Sequence, residues 1–173
     1  MDSRIEVYGW NGSLKARWKV SGENVLLTSI AVADDYVYAA DAGNRILRKF
    51  DKTGTETLKI GGKDERRDIP GCIVPGRFFD VDIDPDGFIW LVNPGRHALE
   101  NYTPEGDPQT SWGVFSMDID GFCGCCNPSH IVILWDGKFV TSEKGIPRIK
   151  VYDRLGVLES VVAGPGRFDE GTE

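Results

Sequence analysis

The sequence predicts an all-β fold: a partial β-propeller of about three and a half blades, each blade a four-stranded antiparallel sheet. Three observations predict it. An aromatic residue followed four positions later by glycine recurs at Tyr8/Gly12, Phe50/Gly54, Tyr102/Gly106 and Tyr152/Gly156, at spacings of 42, 52 and 50 residues. Other positions keep step with this pair: an aliphatic three before the aromatic (Ile5, Leu47, Leu99, Ile149), glycine seven before (Gly43, Gly95, Gly145), and an acid or amide nine before (Asp41, Asn93, Glu143). Finally, 21 glycines and 9 prolines, with no convincing 3.6-residue apolar period, call for short strands joined by tight turns. Four strands in a unit of about 40 to 50 residues is the arithmetic of a propeller blade.

The elements follow in order. Residues 1–27 read as the last two strands of one blade. The first complete blade, 28–62, has strands near 30–33, 37–40 and 47–50, with an Asp34-Asp35 turn and an Asp51-to-Gly54 turn. The second, 80–113, runs through 81–84, the Asp86-Gly87 hairpin, 89–92, Pro94-Gly95, 99–102 and the turn ending at Gly106. The third, 130–163, has 131–134, the turn to Gly137, 139–142, Lys144-Gly145, 149–152, the Asp153-to-Gly156 turn and 158–162. Asp-Gly between apolar runs is a strong hairpin signal, because glycine accepts the positive φ of a two-residue turn. Residues 164–173 repeat the Pro-Gly-Arg-Phe of 75–78 and are expected to start a further blade. Closed propellers have about 4 to 8 blades. The chain therefore reads as a fragment, roughly half of a six-bladed ring, ahead of the alternative that two copies close one ring together, and its open strand edges favour self-association.

Composition narrows the function classes. A net charge of −7 and a pI near 4.9 give no general attraction to phosphate backbones, so nucleic acid is not an expected partner. No apolar run approaches the roughly 20 residues of a membrane-spanning helix, and the N-terminus has no apolar signal core.

The segments Asp41-Ala-Gly-Asn-Arg-Ile-Leu-Arg-Lys-Phe-Asp51 and Arg148-Ile-Lys-Val-Tyr-Asp153 resemble the NHL-repeat family, and Arg4-Ile-Glu-Val-Tyr8 carries the second half of its signature. The second copy departs, with Thr103 where aspartate is usual and Arg96-His97 in the basic slot. Val92-Asn-Pro-Gly-Arg-His97 and Phe122-Cys-Gly-Cys-Cys-Asn-Pro128 are similar to a bacterial, often exported subgroup. That resemblance implies an exported or periplasmic setting, although no signal peptide is visible on this chain.

Strands that alternate direction put the second-to-third strand turns and the blade-to-blade connections on one face. Only that face receives long insertions, 61–79 and 113–129, and long loops on a rigid scaffold are where function usually resides. It collects Asp41, Asn44, Arg45, Asn93, Arg96, His97, Glu143, Lys144 and Arg148. The expected occupant is a protein or a small anionic ligand. The competing reading of Asp41, Asn93 and Glu143 is structural: acids and amides that satisfy turn backbone, since they repeat in every blade. Trp90 and Trp112 read as filling between sheets.

The cysteines are the sharper signal. Cys72, Cys123, Cys125, Cys126 and His130 all precede the innermost strand of a blade on the same face, and form one candidate metal or redox group. Three outcomes are open: zinc or an iron–sulfur cluster, a strained vicinal disulfide at Cys125–Cys126, or inert buried thiols. No catalytic motif is present. The leading expectation is a non-catalytic binding or scaffold module, and the alternative is an exported redox or metal-dependent protein built on the loop from Cys123 to Cys126.

Overall fold

The computed structural model describes residues 3–33 and 35–168. Asp34 of the first expected turn and residues 169–173 of the closing segment lie outside the described residues. The described residues hold four antiparallel sheets. The first pairs β1 (Arg4–Tyr8) with β2 (Leu14–Lys19); the second is β3 (Leu27–Ala33), β4 (Tyr36–Asp41), β5 (Ile46–Asp51) and β6 (Glu56–Ile60). The third is β7 (Val81–Ile83), β8 (Ile89–Asn93), β9 (Ala98–Tyr102) and β10 (Pro108–Trp112). The fourth is β11 (His130–Ile133), β12 (Phe139–Glu143), β13 (Arg148–Tyr152) and β14 (Leu158–Ala163), followed by a short 3-10 turn over Pro165–Arg167. Within each sheet the strands lie in sequence order.

The first strands β3, β7 and β11 lie side by side and are stitched across blades. The Thr28 hydroxyl donates to the Phe79 carbonyl at 2.6 Å. The Ile131 and Ile133 amides donate to Asp80 Oδ2 and Asp82 Oδ2 at 2.9 and 2.6 Å.

Each apolar position of the repeat has a packing partner. The core between β3–β6 and β7–β10 contains Leu47 and Ile60 from one blade and Leu91 and Tyr102 from the other. The next core contains Leu99 and Trp90 of the third sheet with Phe139 and Tyr152 of the fourth, and Phe122 between them. The two-stranded sheet packs Ile5 and Val20 against Ala39 and Phe50. The repeated aliphatic therefore faces the following sheet and the repeated aromatic faces the preceding one. Trp90 and Trp112 both meet Phe139 edge-on, with ring centroids 4.7 and 5.1 Å apart, a favoured aromatic geometry.

The glycine of the aromatic–glycine pair meets two demands at once. At Gly54 and Gly156 φ is +87° and +80°, and a Cβ would fall 2.3 Å from Trp18 and 2.5 Å from Trp112 of the preceding sheet. A left-handed turn and a close approach both require glycine. The aspartate that opens this turn is explained by its acceptors. Asp51 Oδ1 takes the amides of Thr53 and Thr55 at 2.8 and 3.0 Å, and Asp153 Oδ1 takes those of Leu155 and Val157, both at 2.8 Å. Thr103 does the same with its hydroxyl, for Glu105 and Asp107 at 3.3 and 3.2 Å.

Candidate functional site

The residues nine before each aromatic perform one repeated task. Asp41 Oδ1 accepts the Leu26 amide at 3.0 Å, Asn93 Oδ1 the Ile73 amide at 2.9 Å, and Glu143 Oε2 the Cys123 amide at 3.4 Å. In every case the donor belongs to the connection that leads into the blade. The acceptor is a clasp that fixes a point on that connection to the turn after the blade's second strand.

Around each clasp the charges differ. Arg48 donates to Asp41 at 2.8 Å and to Glu56 at 2.7 Å. Burial pushes the Asp41 carboxyl up, but the Leu26 amide, Asn44 and Arg48 outweigh it and hold it below the ordinary range. In the fourth sheet Glu143 binds Arg148 at 2.6 Å and Lys150 at 2.8 Å, all three buried. Burial lowers the Lys150 pKa against the opposing pull of Glu143. In the third sheet the amide of Asn93 donates to Glu100 at 2.7 Å, so an acid stands where the other copies have a cation.

The nine residues expected on one face differ in exposure and partners, and Asp41, Asn93 and Glu143 accept backbone amides, as their structural reading expects. Asp41, Asn93, Glu143 and Arg148 are buried, and their polar atoms serve clasps and ion pairs. Asn44, Arg45 and Arg96 are exposed, and His97 and Lys144 are half-buried. Asn44 is itself tied to Asp41 at 2.9 Å and to the Glu23 carbonyl at 3.0 Å.

The cysteine group is likewise divided. Cys72 is buried in the core between the second and third sheets; burial, then the nearby Glu100 charge, raises its thiol pKa. Cys123 is buried and takes an Arg148 guanidinium hydrogen at 3.4 Å. His130 is exposed and faces Asp80 at 3.3 Å, with Phe78 edge-on at 6.1 Å. Cys125 and Cys126 face each other, sulfur to sulfur, at 2.9 Å. Of the five residues expected as one group, the structure brings Cys125 and Cys126 together and gives Cys72, Cys123 and His130 other partners. Among the described residues, no group of three or more His, Cys, Asp and Glu is placed to hold a metal ion.

The second insertion carries a feature that the sequence reading did not single out. Val114, Phe115, Met117 and Ile119 are 60%, 58%, 71% and 47% exposed. They stand on a loop with a fixed base. Phe122 is buried, Lys150 Nζ donates to the Ile119 and Gly121 carbonyls at 3.1 and 2.8 Å, and the Tyr152 hydroxyl donates to Asp120 O at 3.0 Å. His97 packs edge-on to Phe115 at 5.0 Å and its Nε2 donates to the Gly124 carbonyl at 2.7 Å. The available signal was four apolar residues in six positions that no blade strand claims.

No family model matches the sequence, and no curated protein matches it. Solved structures do. Virginiamycin B lyase from Staphylococcus aureus superposes with a TM-score of 0.64 at 13% identity, covering 90% of this chain and 47% of that one. A streptogramin B lyase gives 0.63 at 16% identity over 90% and 46%. A protein of unknown function from Bacteroides caccae gives 0.61 at 11% identity over 92% and 53%. The chain spans about half the length of these structures, and the likeness is one of fold. No helix among the described residues is long and apolar enough to cross a membrane. Sheets stacked in sequence order, first strands side by side and these neighbours together identify the chain as an all-β, partial β-propeller.

Proposed function

We propose that this chain is a segment of an NHL-type propeller that acts as a non-catalytic binding module through the face carrying 61–79 and 113–129. The observation that supports it most is the exposed apolar row Val114, Phe115, Met117 and Ile119 on an anchored loop. The core does not need these side chains, and an exposed apolar patch rimmed by polar groups is typical of a protein interaction site. Aromatic and methionine anchors suit such a site. Beside them Arg96 is exposed and His97 touches Phe115, so the partner is a protein segment with apolar anchors and acidic flanks. The division into a half blade 1–27, blades 28–62, 80–113 and 130–163, and a further blade from 164 belongs to the same proposal, as does a six-bladed parent.

The test is site-specific photocrosslinking in the producing cell, with benzoylphenylalanine at position 115, or at Leu155, exposed in a hairpin turn, as control. A discrete adduct from 115 that is absent from 155 and lost on Met117→Ser is expected. Equal adducts from both positions, or none from 115, would overturn the reading.

A further inference from the structure

We infer that Cys125 and Cys126 form a redox-active dithiol that small-molecule disulfides convert to a vicinal disulfide. This stands apart from the binding role above: its reactive groups are the two thiols, and His97 alone is shared, as a contact that holds the loop. The two sulfurs lie 2.9 Å apart, against about 2.05 Å in a disulfide, so closing the bond asks for under about 1 Å of approach. The backbone on both sides of Cys125 is left-handed. Gly124 has φ +74° and Cys126 φ +65°, a left-handed conformation that a residue with a Cβ rarely adopts.

The loop is held in place on both sides of the pair. Asn127, buried, donates to the Cys123 carbonyl at 2.6 Å and the Lys144 carbonyl at 2.9 Å, and accepts the Lys144 amide at 2.9 Å. His97 holds the Gly124 carbonyl at 2.7 Å. The pair is also asymmetric: Cys125 is exposed and Cys126 buried. An exposed thiol beside a buried one divides the two roles of thiol–disulfide exchange. The chain's other thiols, Cys72 and Cys123, are buried.

The exchange balances as follows. Cys125, as thiolate, attacks one sulfur of a disulfide such as oxidised glutathione. The S–S bond of the reagent breaks, one glutathione leaves as thiolate and takes up a proton, and a mixed disulfide remains on Cys125. Cys126, losing its proton, attacks the Cys125 sulfur and displaces the second glutathione. The protein dithiol gives up two electrons and two protons; one glutathione disulfide becomes two glutathione thiols.

The whole chain is equilibrated anaerobically in a series of glutathione redox buffers, quenched with an alkylating reagent and read by intact mass and peptide mapping. Two of the four thiols are expected to disappear together, with a mass loss of two hydrogens, no retained glutathione, and the cross-link mapping to 125 and 126. Cys126→Ser is expected to trap a stable glutathione adduct on Cys125. Cys125→Ser is expected to slow thiol loss at least tenfold. A wild-type chain that stalls as the Cys125 adduct, loses Cys72 or Cys123 instead, or keeps all four thiols across the series overturns the proposal.

Discussion

The repeat meets two different environments within one chain. In the third sheet both sides of the blade are covered: every residue of β8 is buried, and Leu99 and Tyr102 of β9 are buried on opposite sides. At the ends the same positions lack that cover. Tyr8, the aromatic of the two-stranded sheet, is 55% exposed, and a Cβ on Gly12 would meet nothing within 4 Å. Ile149, equivalent to Leu99, is half-buried, and β12 alternates buried and half-buried residues where β8 is buried throughout. Identical local grammar thus gives unequal stabilisation, because the repeat's apolar positions are filled by the neighbouring sheet. This is the nearest-neighbour energetics of stacked units.

The largest effect that tests this comparison is expected in particle size. Open strand edges at β1 and β14 and uncovered faces at Tyr8 and Ile149 favour association, so light scattering is expected to show mass rising with concentration. A monodisperse monomer at high concentration breaks the expectation. Next in size, Leu99→Ala is expected to lower unfolding free energy by about 2–5 kcal/mol, as fully buried leucines do. Ile149→Ala in the end blade is expected to lose about half as much or less in denaturant titration at low concentration. Equal losses would mean that the end face is covered in solution.

Glycine sharpens the contrast further. Gly156→Ala is expected to destabilise by about 1–3 kcal/mol, because its Cβ would run into Trp112 and the backbone is left-handed. Gly12→Ala carries only the backbone strain, about 1 kcal/mol, so its melting temperature is expected to fall less. The smallest change is Thr103→Ala, about 0.5–1.5 kcal/mol for two turn hydrogen bonds, and Thr103→Asp is expected to restore it in the same thermal scan.

Much of this architecture was legible in the residues. The aromatic, aliphatic and glycine positions mark strand three and its turn because their packing task is local and recurs in every blade. Thr103 looked like a departure only because residue identity, rather than acceptor chemistry, was being compared. The candidate site was less legible, for physical reasons. Nothing in the repeat positions themselves indicates that Asp41, Asn93 and Glu143 point their acceptors at amides 15 to 20 residues earlier. Cys72 precedes its inner strand much as Cys123 does, but the amide held by the clasp is that of Ile73, so neighbouring blades place their thiols in different surroundings. The exposure of Phe115 and Met117 depends on Lys150 and Tyr152 gripping the loop from more than 28 residues away.

The clasp has a practical consequence for how such a molecule can vary. Each connection, short before β3 and long before β7 and β11, arrives at the same kind of acceptor at the end of the blade's second strand. One amide at that acceptor joins the incoming chain to the blade. In the second insertion the Lys150 and Tyr152 contacts to the 119–121 carbonyls and buried Phe122 fix the base beside it, which leaves the exposed stretch 114–118 as the part able to change length and sequence. The propeller therefore behaves as a socket for interchangeable loops, and a foreign segment grafted between 113 and 119 inherits ready-made attachment points at 119–121 and Cys123.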